Sequence, residues 1–325
     1  MKDKILSLLK KNNFDYVSGE VISKELNITR SAIWKYMKSL KEDGYIIDSV
    51  TNKGYLLVSG PDVITYGEVY NSLTTKYIGR NYNYFSTIDS TSTKAKDLAS
   101  KNSPEGTIVI SEIQTGGRGR MGRHWISPYG KGLSFSIILR PNVDPYSVGI
   151  LTFVAAAAIH KSLESFNINT TIKWPNDIYL DNKKVCGILT ELNCELSSVN
   201  YVVLGIGLNV NLTLEDYPSD IQNIATSLKI HCGQDISRQT LLASILNNFE
   251  IFYEKYKNND ITEALSICRN YSNVINKEVY LLNKNSSEKV FVKNLNDDGS
   301  LLVIDDKNEE KIIYSGEISV RAVHS

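Results

Sequence analysis

Over the first sixty positions, apolar residues recur at helical spacing, break twice, and then give way to alternation. The spacing predicts a short helix over Lys4 to Lys11 and a second over "SGEVISKEL", with Ser18 as N-cap. After a turn at Asn27 it predicts a third helix over "RSAIWKYMKSLKEDG", capped by Thr29 and ended by Gly44. Ile33, Met37 and Leu40 form the apolar stripe of that third helix, while Arg30, Ser31, Lys35 and Lys38 face elsewhere. Alternation in "IIDSVTNKGYLLV" predicts two strands joined at "TNKG", with Lys53 at the tip, so residues 1–62 are expected to form a winged helix-turn-helix. Trp34 is ambiguous: it either packs under the wing or sits at a groove, and core packing is the usual place for a lone large aromatic. "SGPD" at residues 59–62 reads as a linker.

Further along, "GTIVISEIQT" reads as a buried-type strand and "LSFSIILR" as a second strand, and "VGILTFVAAAAIHKSLESF" is a helix apolar nearly all round, suited to covering a sheet. "IKWPNDIYL", "KKVCGILTEL" and "VVLGIGLNVN" predict three more strand segments. From about Asn273, "EVYLL", "KVFVKNL", "SLLVID" and "KIIYS", with "DDG" as a turn, predict a small all-β module.

Charge adds local information only. Lys plus Arg and Asp plus Glu both number 36, so attraction to nucleic acid has to come from patches. One patch runs from Lys24 to Lys41, with five basic residues against one acid, a footprint suited to phosphate. The other lies in "GGRGRMGRHW": between Ile113 and Val143 there is no acidic residue, so Arg118, Arg120, Arg123 and Lys131 are expected to create an uncompensated positive field. Glycines let this backbone approach a ligand closely, and arginines bind carboxylate or phosphate oxygens. "GRGRMG" fits the letter of the dinucleotide fingerprint, but "HWISPYGKG" comes next and no helix can start there. Four cysteines without a C-x-x-C pair or a nearby histidine argue against disulfides and zinc, and a reducing cytoplasm is expected. No metal ligand set is predicted. None of the four histidines has partners at metal or triad spacing. The N-terminus is too charged for a signal peptide, and the "GILTFVAAAAI" stretch is too short to cross a bilayer.

"GRGRMGRHW", "KWPND", "KVCGILTE" and "GIGLNVN", in this order behind a winged helix, resemble the bifunctional biotin protein ligases that also repress biotin operons. Met121 stands where a further arginine can occur in that family. The resemblance covers essentially the whole chain. It implies an α+β protein with a winged helix over 1–62, a mixed-sheet α/β ligase domain over 63–272, and a terminal SH3-like β-barrel over 273–325. It also implies ATP-dependent joining of biotin to AMP with Mg2+, then transfer of biotin to a lysine of a carboxylase biotin carrier domain. Biotin would be read by Ser90, Thr91, Ser92 and Gln114, with backbone around Arg118, Gly119 and Arg120, and Lys184 at its carboxylate. The nucleotide would meet Arg118, Arg120, Trp125, Asn176, Lys184, Asn209 and Arg321, with Glu317 nearby. Arg118, Arg120 and Lys184 would carry the charge chemistry, and Asp177 would orient the incoming amine. Operator DNA would meet Thr29, Arg30, Ser31, Lys35 and Lys53, bound by a homodimer. Three other readings stay open on the residues alone: a lipoate or octanoate transferase, a biotin-sensing repressor without ligase activity, and a ligase whose N-terminal module only packs.

Overall fold

In a computed structural model, the structure describes residues 1–12, 15–195, 198–283, 286–314 and 316–319. The chain forms two compact units, one of Met1–Thr74 with Ser237–Ala243, the other of Thr75–Ile236 with Ser244–Ser325.

In the first unit, helices α1 (Lys2–Lys11), α2 (Gly19–Leu26) and α3 (Arg30–Glu42) precede a hairpin of β1 (Ile46–Val50) and β2 (Gly54–Ser59), and a short helix α4 (Tyr66–Val69) comes after it. The two predicted caps form: the Ser18 hydroxyl accepts from the Val21 amide at 3.1 Å and Thr29 Oγ1 from the Ala32 amide at 3.2 Å. Between them Asn27 closes α2 in the left-handed region. The three apolar stripes meet in one core containing Ile5, Leu6 and Leu9 of α1, Ile22 of α2, Ile33, Met37 and Leu40 of α3, and Ile47 of β1. Gly54 fixes the base of the wing: φ is +117°, and a Cβ there would lie 2.2 Å from the Val17 carbonyl oxygen. That contact sits beside the Val17–Tyr55 bridge, which ties β2 to the entry of α2.

Two expectations fail in this unit. Trp34 is not core, since it is 60% exposed, because its position on α3 lies away from the Ile33–Met37–Leu40 stripe. "SGPD" is not a loose linker either. Asp62 accepts from the Arg238 backbone amide at 3.1 Å and from its Nε at 2.8 Å, and the Pro61 carbonyl accepts from Gln239 Nε2. Arg238 is fully buried, so the carboxylate that pairs with it is held in place.

The second unit is built on a seven-stranded sheet: β3 (Tyr82–Ile88), β4 (Ile108–Gln114), β5 (Gly132–Leu139), β6 (Thr171–Lys173), β7 (Asp177–Leu180), β8 (Lys183–Glu195) and β9 (Ser198–Asn209), in spatial order β3-β4-β5-β9-β8-β7-β6. β3 and β4 run parallel and every other neighbouring pair is antiparallel. β5 lies inside the sheet and every one of its residues is buried, Ser134 and Ser136 included, which accounts for its largely apolar sequence. Helix α5 (Thr91–Ser100) covers part of the sheet, packing Ala95 and Ala99 on Val109, Ile138 and Val203. α6 (Ile150–Glu164) packs on β8 and on α9 (Thr262–Asn270), with α7 (Leu228–Cys232) and α8 (Arg238–Lys257) between them in the chain. With the 3₁₀ turn before it, α6 extends to a 20-residue span, Pro145–Glu164, apolar enough to cross a membrane by length and composition. In the fold 78% of its most apolar window is buried, as in a core helix.

Strands β10 (Lys277–Asn283), β11 (Ser286–Leu295), β12 (Leu301–Ile304), β13 (Glu310–Ile313) and β14 (Glu317–Ser319) form an antiparallel sheet in the order β13-β12-β11-β10-β14. The predicted "DDG" turn joins β11 to β12, and its Gly299 carbonyl accepts from Trp174 Nε1 at 2.9 Å. A Cβ at Gly299 would lie 2.6 Å from the Phe153 ring, so glycine lets this turn lie on α6.

Candidate active site

The second unit contains a cavity of about 450 Å³, a size suited to a small-molecule ligand. Its lining brings together nearly all the residues singled out from the sequence motifs: Ser90, Thr91, Ser92, Gln114, Arg118, Gly119, Arg120, Trp125, Asn176, Asp177, Lys184 and Asn209. Arg321 lies outside the described residues, and nothing is described of the Glu317 side chain.

One end is neutral and hydrogen-bonded. Ser90 caps α5 through the Thr93 amide. The Thr91 amide and hydroxyl both donate to Gln114 Oε1, at 2.8 and 3.1 Å, which turns the remaining amide face of Gln114 into a defined position on the wall. Behind them, Ser136 Oγ on β5 lies 2.9 Å from Thr91 Oγ1 and 3.1 Å from Ser92 Oγ. Ser136 is absent from the predicted set, although a serine at a fully buried strand position was its signal in "LSFSIILR".

The cationic loop runs from the end of β4 to the start of β5. It is pinned at its root by the Gly116 amide, which donates to Asp89 O, and folds back on itself: the Gly119 amide donates to Arg123 O at 2.7 Å and the Trp125 amide to Gly117 O at 2.9 Å. The chain makes a short 3₁₀ turn over Arg120–Gly122 and reverses at Met121 and Gly122, both at positive φ, so no α-helix begins at the glycines, as expected. Arg118 is exposed at the rim of the cavity. Arg120 points across it, donating to Asn176 Oδ1 at 3.1 Å and to Gly316 O at 3.4 Å. Asn176 is held at both ends, because its Nδ2 donates to Ile188 O and its own carbonyl accepts the Ile188 amide.

The expected uncompensated field is wrong in one place. Lys131 lies 2.7 Å from both carboxylate oxygens of Asp216, an acid outside the stretch from which the field was inferred. The same carboxylate caps the turn at Thr213, and these contacts together hold it below the usual carboxylate range despite its burial. Lys184 Nζ likewise lies 2.7 Å from Asp177 Oδ1, so this lysine enters the site already oriented by an acid.

Trp125 forms a roof over two glycines of adjacent strands. A Cβ on Gly207 would lie 2.4 Å from the indole, one on Gly187 would be 3.5 Å from it, and Lys184 Nζ is 5.9 Å from the ring centroid. Gly187 in "KVCGILTE" and Gly207 in "GIGLNVN" therefore mark the close approach of an aromatic plane to the sheet, whereas Gly205 faces Ser92, whose Oγ would lie 2.8 Å from a Cβ there. Tyr217 also reaches the cavity, and among the described residues its buried hydroxyl has no hydrogen-bond partner. Leu282 and Ile318 add apolar lining from the C-terminal sheet. Among the described residues no group of three acids, cysteines or histidines could hold a metal ion. Of the histidines, His231 pairs with Asp181 and buried His160 faces Thr170, burial holding His160 below the usual imidazole range.

A mixed sheet with an arginine loop arching over a hydrogen-bonding pocket defines the class, and sequence comparison agrees. Residues 84–209 match the Biotin/lipoate A/B protein ligase family and residues 2–56 an HTH domain. The bifunctional ligase/repressor BirA of Bacillus subtilis is 35% identical over 98% of this chain and 98% of its own length, and that of Escherichia coli is 28% identical over 98% and 97%. A biotin protein ligase from Aquifex aeolicus, solved in complex with biotin and ATP, superposes with a TM-score of 0.63 at 31% identity, covering 74% of this chain and 98% of that one. The chain belongs to the bifunctional ligase/repressor family: a biotin protein ligase with an N-terminal helix-turn-helix domain.

Proposed function

We propose that this protein activates biotin with ATP at the described cavity, passes it to a lysine of a biotin carrier domain, and in the adenylate-bound state represses biotin genes as a homodimer in the cytoplasm. Residues 1–62 serve DNA, 63–272 the chemistry, and 273–325 an SH3-like module beside the nucleotide. The observation that carries the catalytic reading is the convergence, in one cavity, of a neutral hydrogen-bonding end and a cationic end.

The neutral end, Thr91, Ser92 and Gln114, suits a ureido ring, whose carbonyl accepts and whose two N–H groups donate. The cationic end suits adenylation. A carboxylate oxygen of biotin attacks the α-phosphorus of ATP, the new P–O bond forms, and the bond to the bridging oxygen breaks with its electron pair leaving on pyrophosphate. Two anions must meet, and Arg118, Arg120 and Lys184 offset their repulsion, a stabilisation that grows as charge collects on the phosphate oxygens. Asn176 and Asp177, whose side-chain oxygens here face Arg120 and Lys184, are the residues that would hold a magnesium ion brought in with ATP, and the ion would neutralise phosphate charge. Trp125 offers a plane for the adenine and Asn209 a polar neighbour for the nucleotide. In the second step the carrier lysine, as free amine, attacks the anhydride carbonyl; the C–N bond forms, AMP departs with the C–O electron pair, and the amine proton is lost. Asp177, which orients Lys184, is our choice for orienting that amine as well.

Arg118 is the group to test, since it stands exposed at the rim while Arg120 is tethered to Asn176. A carrier domain is incubated with enzyme, ATP, magnesium and biotin, and its labelled lysines are read by mass spectrometry. With Arg118→Gly the activated intermediate should escape, so labelling spreads to non-target lysines while labelling of the target lysine falls. Unchanged selectivity would remove the loop from this role.

A further inference from the structure

The exposed Trp34 is a side chain that the catalytic reading does not use. It lies on the second turn of α3, with Arg30 before it and Lys38 after it at four-residue spacing, so the three share one row of the helix surface. Ser31 and Lys35 form the adjacent row, and all five residues are exposed. The opposite side of α3 is fully committed to the core through Ile33, Met37 and Leu40. The indole is therefore 60% exposed in the middle of a basic stripe, with Lys38 Nζ 5.9 Å from its centroid. Burying such a ring would ordinarily stabilise a protein, and a basic helix face needs no aromatic residue for solubility. The combination fits a partner that is anionic at its edges and carries apolar groups between them.

We propose that Trp34 is a base-reading residue of the DNA-binding surface, making apolar contact with thymine C5-methyl groups in the major groove while Arg30, Lys35 and Lys38 meet flanking phosphates. The inference rests on the reading of the first unit as a DNA-binding domain and adds to it a specificity determinant. The chemistry is that of the groove itself: thymine presents the only methyl group there, and an indole edge between phosphate-binding cations is placed to cover it.

The test begins with selection of sequences from a random duplex library by the full-length protein with biotin, ATP and magnesium. Affinities of the protein and of Trp34→Ala are then measured for the selected duplex and for the same duplex with each thymine in turn replaced by deoxyuridine. Retained ligase activity and an unchanged far-UV spectrum establish that the variant is folded. For the unsubstituted protein, one or two of the replacements should weaken binding, about fourfold per methyl lost. Trp34→Ala should bind the parent duplex roughly tenfold more weakly and be indifferent to those same replacements. Equal affinity of the two proteins, or equal sensitivity to deoxyuridine, overturns the role of Trp34 while leaving DNA binding standing. If the wild-type protein enriches no sequence, the DNA-binding reading falls and the inference with it.

Discussion

Gly207 shows how a single hydrogen atom can decide the shape of this site. A methyl there would lie 2.4 Å from Cε2 of Trp125, far inside contact distance, so the indole would have to lift from the sheet. Gly207→Ala should therefore raise the KM for ATP about tenfold or more while changing biotin binding less, because the neutral wall of Thr91 and Gln114 is not touched. The check is a cycle with Trp125→Ala: if displacement of the indole is the cause, the glycine substitution should cost almost nothing in that background. An undiminished penalty there would locate the effect elsewhere. The sequence offers Gly207 only as a glycine in a strand, for which a bulge is the ordinary reading and a close approach the rarer one. What distinguishes them is the tryptophan 82 positions earlier in the chain. Lys131 fails for the same reason: charge counted along a segment misses Asp216, which arrives from the loop after β9.

Local elements are legible where they obey local rules. Both caps of the helix-turn-helix, the turn at Asn27 and the hairpin at "TNKG" are written in consecutive residues and appear as predicted. Thr29→Ala should cost about 1 kcal/mol in chemical denaturation of the winged helix, since the Ala32 amide loses its acceptor at the head of α3. Thr29→Ser should restore most of it, and a loss in both variants alike would mean that the cap is not the source. Trp34 shows the limit of such rules. Being large and aromatic made the core its usual place, but its angular position on α3 puts it outside the Ile33–Met37–Leu40 stripe, and angular position decides burial on an amphipathic helix. The motif residues "KWPND" and "KVCGILTE" were visible as segments, yet only the antiparallel pairing of β7 with β8 brings Asp177 and Lys184 to 2.7 Å.

Across the whole chain, the least predictable feature is that the first unit is completed by residues more than 160 positions downstream of Thr74. Arg238 is fully buried and gives its Nε and backbone amide to Asp62, while Gln239 holds the Pro61 carbonyl. No composition rule announces this, because "SGPD" has the residues of a linker and a lone arginine at the start of a helix has the residues of a solvated end. A buried guanidinium without its carboxylate is costly, whereas the intact pair contributes little by itself. Asp62→Asn should therefore destabilise the first unit by about 2 kcal/mol, less than a fully sequestered pair would lose because the Asp62 side chain is 35% exposed. Arg238→Met, which removes the buried charge altogether, should cost less than Asp62→Asn even though it deletes more hydrogen bonds. That order separates an uncompensated charge from a simple count of lost contacts, and hydrogen exchange of the α1–α3 amides reads it directly. If Arg238→Met proves the more damaging of the two, the arginine is holding residues 61 and 62 by its hydrogen bonds, and the burial of its charge is incidental.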